Sequence, residues 1–145
     1  MTNPGDFNLP TDYIFAENSW GNLFYKIYTT GLNYNDAKAQ CELDGAFLAI
    51  PRSETENDFF AGLIPNEQIW IGINDIEQEG SFVAVNGREV SWTNWGTEEP
   101  NGGTNENAVE IRTTDIGKFW NDMPASWSLK FVCSLNIEGK LLIRE

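Results

Sequence analysis

Apolar positions come in short blocks along this chain, and the spacing within each block predicts an element. The segment Asn22–Tyr28 (NLFYKIY) is rich in aromatic residues and reads as a strand. Asn33 then offers a helix N-cap, with Asp36 three positions on. Tyr34, Ala37 and Cys41 follow at spacings of three and four, so they share one helix face, and Gly45 marks the stop. Ala46–Ile50 is a short apolar strand. Ser53-Glu54-Thr55-Glu56 is a capping box that opens a second helix. Phe59, Phe60, Leu63 and Ile64 give that helix its apolar face, and Pro65 ends it. The continuous run Ile69–Ile73 predicts a strand buried on both faces.

The character changes between Asn74 and Asn107, which is rich in Gly, Asn, Glu and Thr. Asn86-Gly87, flanked by Phe82–Val85 and Val90–Trp92, predicts a hairpin, and the remainder reads as a long loop. Loops of that length in compact domains are often functional. Short strands are expected near Ala108–Arg112 and Lys118–Asn121, and a final one over Leu129–Ile137, with Leu141–Ile143 as an extension. Residues 1–19 are polar and turn-rich and predict an irregular lead-in. The class is α+β, one domain over 1–145 with a core at about 22–137: two early helices, then a mostly antiparallel sheet carrying a large loop.

Composition narrows the function. The 145 residues are 41% hydrophobic, enough for a packed core. Their 22 acids against 9 bases give a net charge of −13, which argues against nucleic acid and against anionic lipid. No apolar run approaches the roughly 20 residues of a membrane span. The opening residues 1–7 lack the basic and apolar regions of a signal peptide. The absence of histidine removes His-based zinc sites and Ser-His-Asp or Cys-His catalysis. Cys41 and Cys133 stand too far apart for a CxxC motif; they are either two buried thiols or one disulfide closing most of the domain.

Between Glu98 and Asp122, side-chain oxygens gather at Glu99, Asn101, Glu106, Asn121 and Asp122. Three carboxylates and two amides suit calcium, which takes 6–8 oxygens from irregular segments. The order Glu99-Pro100-Asn101, Trp120-Asn121-Asp122 and then Cys133 resembles the C-type lectin family. So do Ala37–Cys41 as the first helix with its cysteine, Trp70–Ile73 as the signature strand, and Phe131-Val132-Cys133 as the closing strand. The resemblance covers about Leu23 to Leu135 and implies the C-type lectin-like fold.

It also implies a site. Glu99, Asn101, Glu106, Asn121 and Asp122 would hold calcium, with Pro100 in cis. The same five residues would meet the sugar, whose neighbouring hydroxyls complete the coordination. Glu99 only accepts hydrogen bonds, whereas the Asn101 amide donates. In the family this EPN order accompanies equatorial 3- and 4-hydroxyls, as in mannose, fucose-like and glucose-like sugars, and the order QPD accompanies galactose. Asp75, Glu79, Glu106 and Asn107 match a second calcium site, but Gly102 and Asn107 replace usual ligands, so that site is expected to be weak or empty. The family's second disulfide is replaced here by Ala108 and Ala125, leaving Cys41–Cys133 as the implied bridge and an oxidising, secreted or extracellular location. Trp92 and Trp95 match loop tryptophans that pack internally, Trp120 is expected to place Asn121 and Asp122, and Trp127 has no assignment.

The resulting expectation is a calcium-dependent binder of glycans or glycoconjugates. A calcium-dependent ice-binding or protein-binding domain on the same fold is the alternative. A two-carboxylate glycosidase is disfavoured because the candidate acids are committed to the metal. A homo-oligomer through sheet edges or helices is compatible with the chain, although no coiled-coil heptads encode one.

Overall fold

The computed structural model of the chain describes residues 12–137. Its elements in order are β1 (Ile14–Asn18), β2 (Gly21–Leu32), α1 (Tyr34–Leu43), β3 (Phe47–Leu48), α2 (Glu54–Leu63), β4 (Ile69–Asn74), β5 (Val83–Ala84), a 3-10 turn (Gly103–Asn105), β6 (Ala108–Thr114), β7 (Gly117–Met123) and β8 (Leu129–Ile137). The architecture is α+β, with the C-type lectin-like fold that the motif order implies.

The strands form one sheet in the order β1-β2-β8-β4-β6-β7, with β3 on β8 and β5 on β4. All pairings are antiparallel except β4 with β8, which run parallel at Ile69↔Lys130 and Trp70↔Phe131. This central pair explains the unbroken apolar run of β4, where all six residues are buried. Ile69, Ile71 and Ile73 join a core that includes Phe60, Ala61 and Ile64 of the α2 region, Ile111 and Trp120. Trp70 between them joins the opposite cluster with Tyr34, Ala37 and Cys41 of α1, Phe131 and Cys133. Alternate side chains of one strand thus feed two cores, one under each helix.

Helix α1 starts where Asn33 accepts from the Asp36 amide. It ends where the amides of Gly45 and Ala46 donate to the carbonyls of Glu42 and Cys41, a Schellman closure. Its buried residues are Tyr34, Ala37 and Cys41, the face the spacing predicts. Cys41 is disulfide-bonded to Cys133 of β8, with Cα atoms 5.3 Å apart.

Three expectations need correction. Residues 14–18 of the irregular lead-in form a strand, because β1 folds back on β2 from Asn18↔Gly21 to Ile14↔Tyr25. Residues 1–11 and the Leu141–Ile143 extension lie outside the described residues. Asn86-Gly87 does make a turn, with Gly87 N donating to Ala84 O, but no hairpin forms. Val83 and Ala84 pair instead with Asn74 and Ile73 of β4, and Val90–Trp92 is not a strand; Trp92 turns inward onto Trp120. Helix α2 buries Glu56, Asn57, Phe60 and Ala61, with Ile64 just beyond its end, while Phe59 and Leu63 flank that face half-buried. Two polar residues enter because both are satisfied: Glu56 accepts from Arg52, and Asn57 bonds to Trp120 and to the Lys118 carbonyl.

Candidate functional site

The long loop is laid onto β7 by backbone pairing. Trp120 N donates to Asn94 O at 2.8 Å, Gly96 N donates to Trp120 O at 2.9 Å, and Trp95 bridges Trp120 in parallel. Trp92 and Trp95 both pack edge-to-face on the fully buried Trp120, and Phe82 covers Trp95. The loop tryptophans are therefore packing residues, as expected, and they belong to the main core. Trp127 is 53% exposed.

From this anchor the chain passes through Glu98, which holds a left-handed φ of 65°, to a cis Glu99–Pro100 bond. Asp122 of β7 then clasps the loop. Its Oδ1 accepts from Asn101 N at 3.1 Å and its Oδ2 from Gly102 N at 3.0 Å. Asn101 Nδ2 donates to Glu99 Oε2 at 3.2 Å. At Gly102 any side chain would overlap Glu106, so the glycine admits Glu106 beside the clasp.

The charges here crowd one another. Desolvation, then hydrogen bonding and repulsion from Asp122, then repulsion from Glu106, push the Glu99 carboxyl up to about 7. Glu106 is raised by desolvation first and by Asp122 next, and Arg112 relieves both acids in part. The Oε1 atom of Glu99 is enclosed and lacks a hydrogen-bond partner. Among the described residues no three acidic side chains converge into a closed metal cluster, so any cation would lean on the amides of Asn101 and Asn121 as well. A hard cation fits this set: it takes oxygen donors, engages the unpartnered oxygen and offsets the repulsion.

Glu99, Asn101, Glu106 and Asp122 are thus brought together. Asn121 reaches the neighbourhood differently: its amide donates to Glu110 Oε2 at 2.8 Å and to Met123 Sδ at 3.2 Å. Of the residues matching a second site, Asp75 is buried and tied to Asn107 by its backbone amide at 3.0 Å. Asp75 Oδ2 accepts from Gly80 N, while Asp75 Oδ1 and Asn107 Oδ1 are enclosed without partners. Glu79 is raised by desolvation, then by Asp75 and Asp122.

Residues 30–135 match the model of the C-type lectin domain. The chain belongs to the C-type lectin family. It is 31% identical to Lectin BRA-3 of Megabalanus rosa over 82% of this chain and 80% of that protein. Six other curated relatives are longer, and the chain spans 38% to 63% of their lengths. Among solved structures it resembles the carbohydrate-recognition domain of cow CD23, determined in the presence of a GlcNAc2Man3 oligosaccharide. The TM-score is 0.76 at 25% identity, covering 90% of this chain and 98% of that one. Herring type II antifreeze protein superposes with a TM-score of 0.77 at 23% identity, over 89% and 99% of the two chains, a likeness of fold alone.

Sequence reasoning missed Glu110, which accepts from the Asn121 amide, and Gln68 and Arg112, which meet Glu110 in turn. The available signal was one carboxylate inside the apolar strand Ala108-Val109-Glu110-Ile111. A charge in that position must be paired.

Proposed function

We propose that this lectin domain binds a calcium ion through Glu99, Asn101, Glu106, Asn121 and Asp122, and through it mannose-type sugars presenting equatorial 3- and 4-hydroxyls. The observation that carries this reading is the clasp of Asp122 on the Asn101 and Gly102 amides. It sets Asp122 beside Glu99, whose Oε1 is unpartnered, and near Glu106, and the Asp122 charge raises both of those carboxyls. Calcium supplies a Lewis-acidic centre for two neighbouring hydroxyls. The chain's own residues do the reading: Glu99 and Glu106 accept hydrogen bonds from sugar hydroxyls, and Asn101 donates one. The acceptor-then-donor order of Glu99 and Asn101 selects the hydroxyl pair. In the same reading Asp75, Glu79, Glu106 and Asn107 form at most a weak second calcium site. The disulfide supports a secreted or extracellular setting.

Isothermal titration tests this directly. Calcium should bind, and mannose should then give heat that EDTA abolishes and galactose does not reproduce. Equal heats from mannose and galactose would reject the selectivity. Ice shaping with no sugar response would move the site to the antifreeze-like alternative. Exchanging the order with Glu99→Gln and Asn101→Asp should shift preference toward galactose.

A further inference from the structure

Glu110 lies in β6 directly opposite Asn121 of β7 and is 0% exposed. A buried carboxylate is retained where donors surround it, and three do so here. Gln68 Nε2 donates to its Oε1 at 2.8 Å, Asn121 Nδ2 to its Oε2 at 2.8 Å, and Arg112 is ion-paired to Oε2 at 3.0 Å. Such a carboxylate only accepts, so the Asn121 amide can face it with nitrogen and not with oxygen. Met123 Sδ receives the same nitrogen at 3.2 Å. Both contacts of the amide nitrogen therefore point inward, and the planar amide must turn its oxygen the other way.

We infer that Glu110 is a positioning residue. It fixes the orientation of the Asn121 amide so that Oδ1, the atom able to ligate a cation, faces the loop. Gln68 holds the carboxylate through Oε1, and Arg112 pairs with the same Oε2 that Asn121 meets. The inference rests on the reading of Asn121 as a calcium ligand, and it adds a requirement that the ligand set alone does not contain. Glu110→Gln keeps the shape but lets the facing group donate as well as accept, so the Asn121 amide is free to turn over.

The experiment measures calcium affinity by titration calorimetry on the full chain, for wild type and E110Q, each with Asn121 intact and with Asn121→Asp. With Asn121 intact, E110Q should weaken calcium binding roughly 10–100-fold, the scale typical of groups that orient metal ligands. In the Asn121→Asp background, either side-chain oxygen serves and the Glu110 charge repels the new carboxylate, so E110Q should be neutral or tighten binding. A merely structural role for Glu110 would weaken both backgrounds alike, and that result overturns the inference. Wild type that binds calcium no more tightly than E110Q also overturns it while leaving the proposed function standing. Wild type that binds no calcium overturns the proposed function and this inference together. Should E110Q fail to fold, the calcium-free wild type carries the test by nuclear magnetic resonance. The Asn121 side-chain amide protons should exchange at least about 10-fold more slowly than those of the exposed Asn105, and equal rates reject the lock.

Discussion

Asn57 supports the site from a distance. It is fully buried, accepts from Trp120 Nε1 at 2.7 Å and donates to Lys118 O at 2.9 Å. Trp120 in turn holds the loop backbone at Asn94 and Gly96. Asn57→Ala leaves the buried indole N–H unpaired, which costs about 1–3 kcal/mol, while Lys118 O keeps its bond from Asn94 Nδ2. Urea denaturation followed by tryptophan fluorescence should show a lower midpoint, and an unchanged midpoint would contradict the bond's role. At this scale the sequence was legible where chemistry is concentrated in irregular chain. Glu99, Asn101, Glu106 and Asp122 drew notice as grouped oxygen donors, and it was the motif order, matched to the family, that turned them into a proposed ligand set. Asn57 and Glu110 could not, since a helix-surface amide and a strand carboxylate look solvated until the tertiary partner is known.

Among the elements, α1 and β4 were read well because a one-sided 3.6-residue period and an unbroken apolar run each have one natural packing solution. β1 was missed because Ile14 and Phe15 remain half exposed at the sheet edge, so no alternating pattern betrays the strand. The absent hairpin has a different cause. Asn86-Gly87 forms its turn locally, but the following residues find a better neighbour in Trp120 than in Val83–Ala84. A polar staple ties these elements together: the phenols of Tyr13 and Tyr28 both donate to Asp44 Oδ2, at 2.8 and 2.6 Å, at the end of α1. Desolvation first, then the Asp44 bond and charge, push the Tyr28 phenol up to about 12, and Tyr13 is raised by the same causes. A raised folded-state value means the native chain holds the proton more tightly. The Tyr28 contribution to stability is therefore complete below about pH 10 and is lost as the pH rises toward 12. Comparing urea midpoints at pH 9 and pH 11, the wild type should lose more than the Tyr13→Phe/Tyr28→Phe variant. An equal loss would mean the staple does not titrate as described.

On the scale of the whole molecule, the fold was legible because five short motifs occur in the right order across most of the chain. The Cys41–Cys133 pairing illustrates what order adds: spacing alone left two thiols or a bridge open, and the packing of α1 against β8 decides it. Replacing both cysteines with alanine should cost about 2–5 kcal/mol, read as a lower thermal midpoint by circular dichroism. A variant as stable as wild type would show that the two cores hold the chain unaided.

The same bridge also determines how tension would travel through the protein. A load applied at the two ends of the chain passes covalently from Cys41 to Cys133, a sequence separation of 92, and skips the chain between them. β1, all of β2, most of α1 and the last residues of β8 lie on the loaded path. Asp75, the Glu99–Asn101 segment, Glu106, Asn121 and Asp122 all lie off it. Stretched between its two ends, the domain would peel its outer strands while the Glu99–Asn101 loop stayed folded.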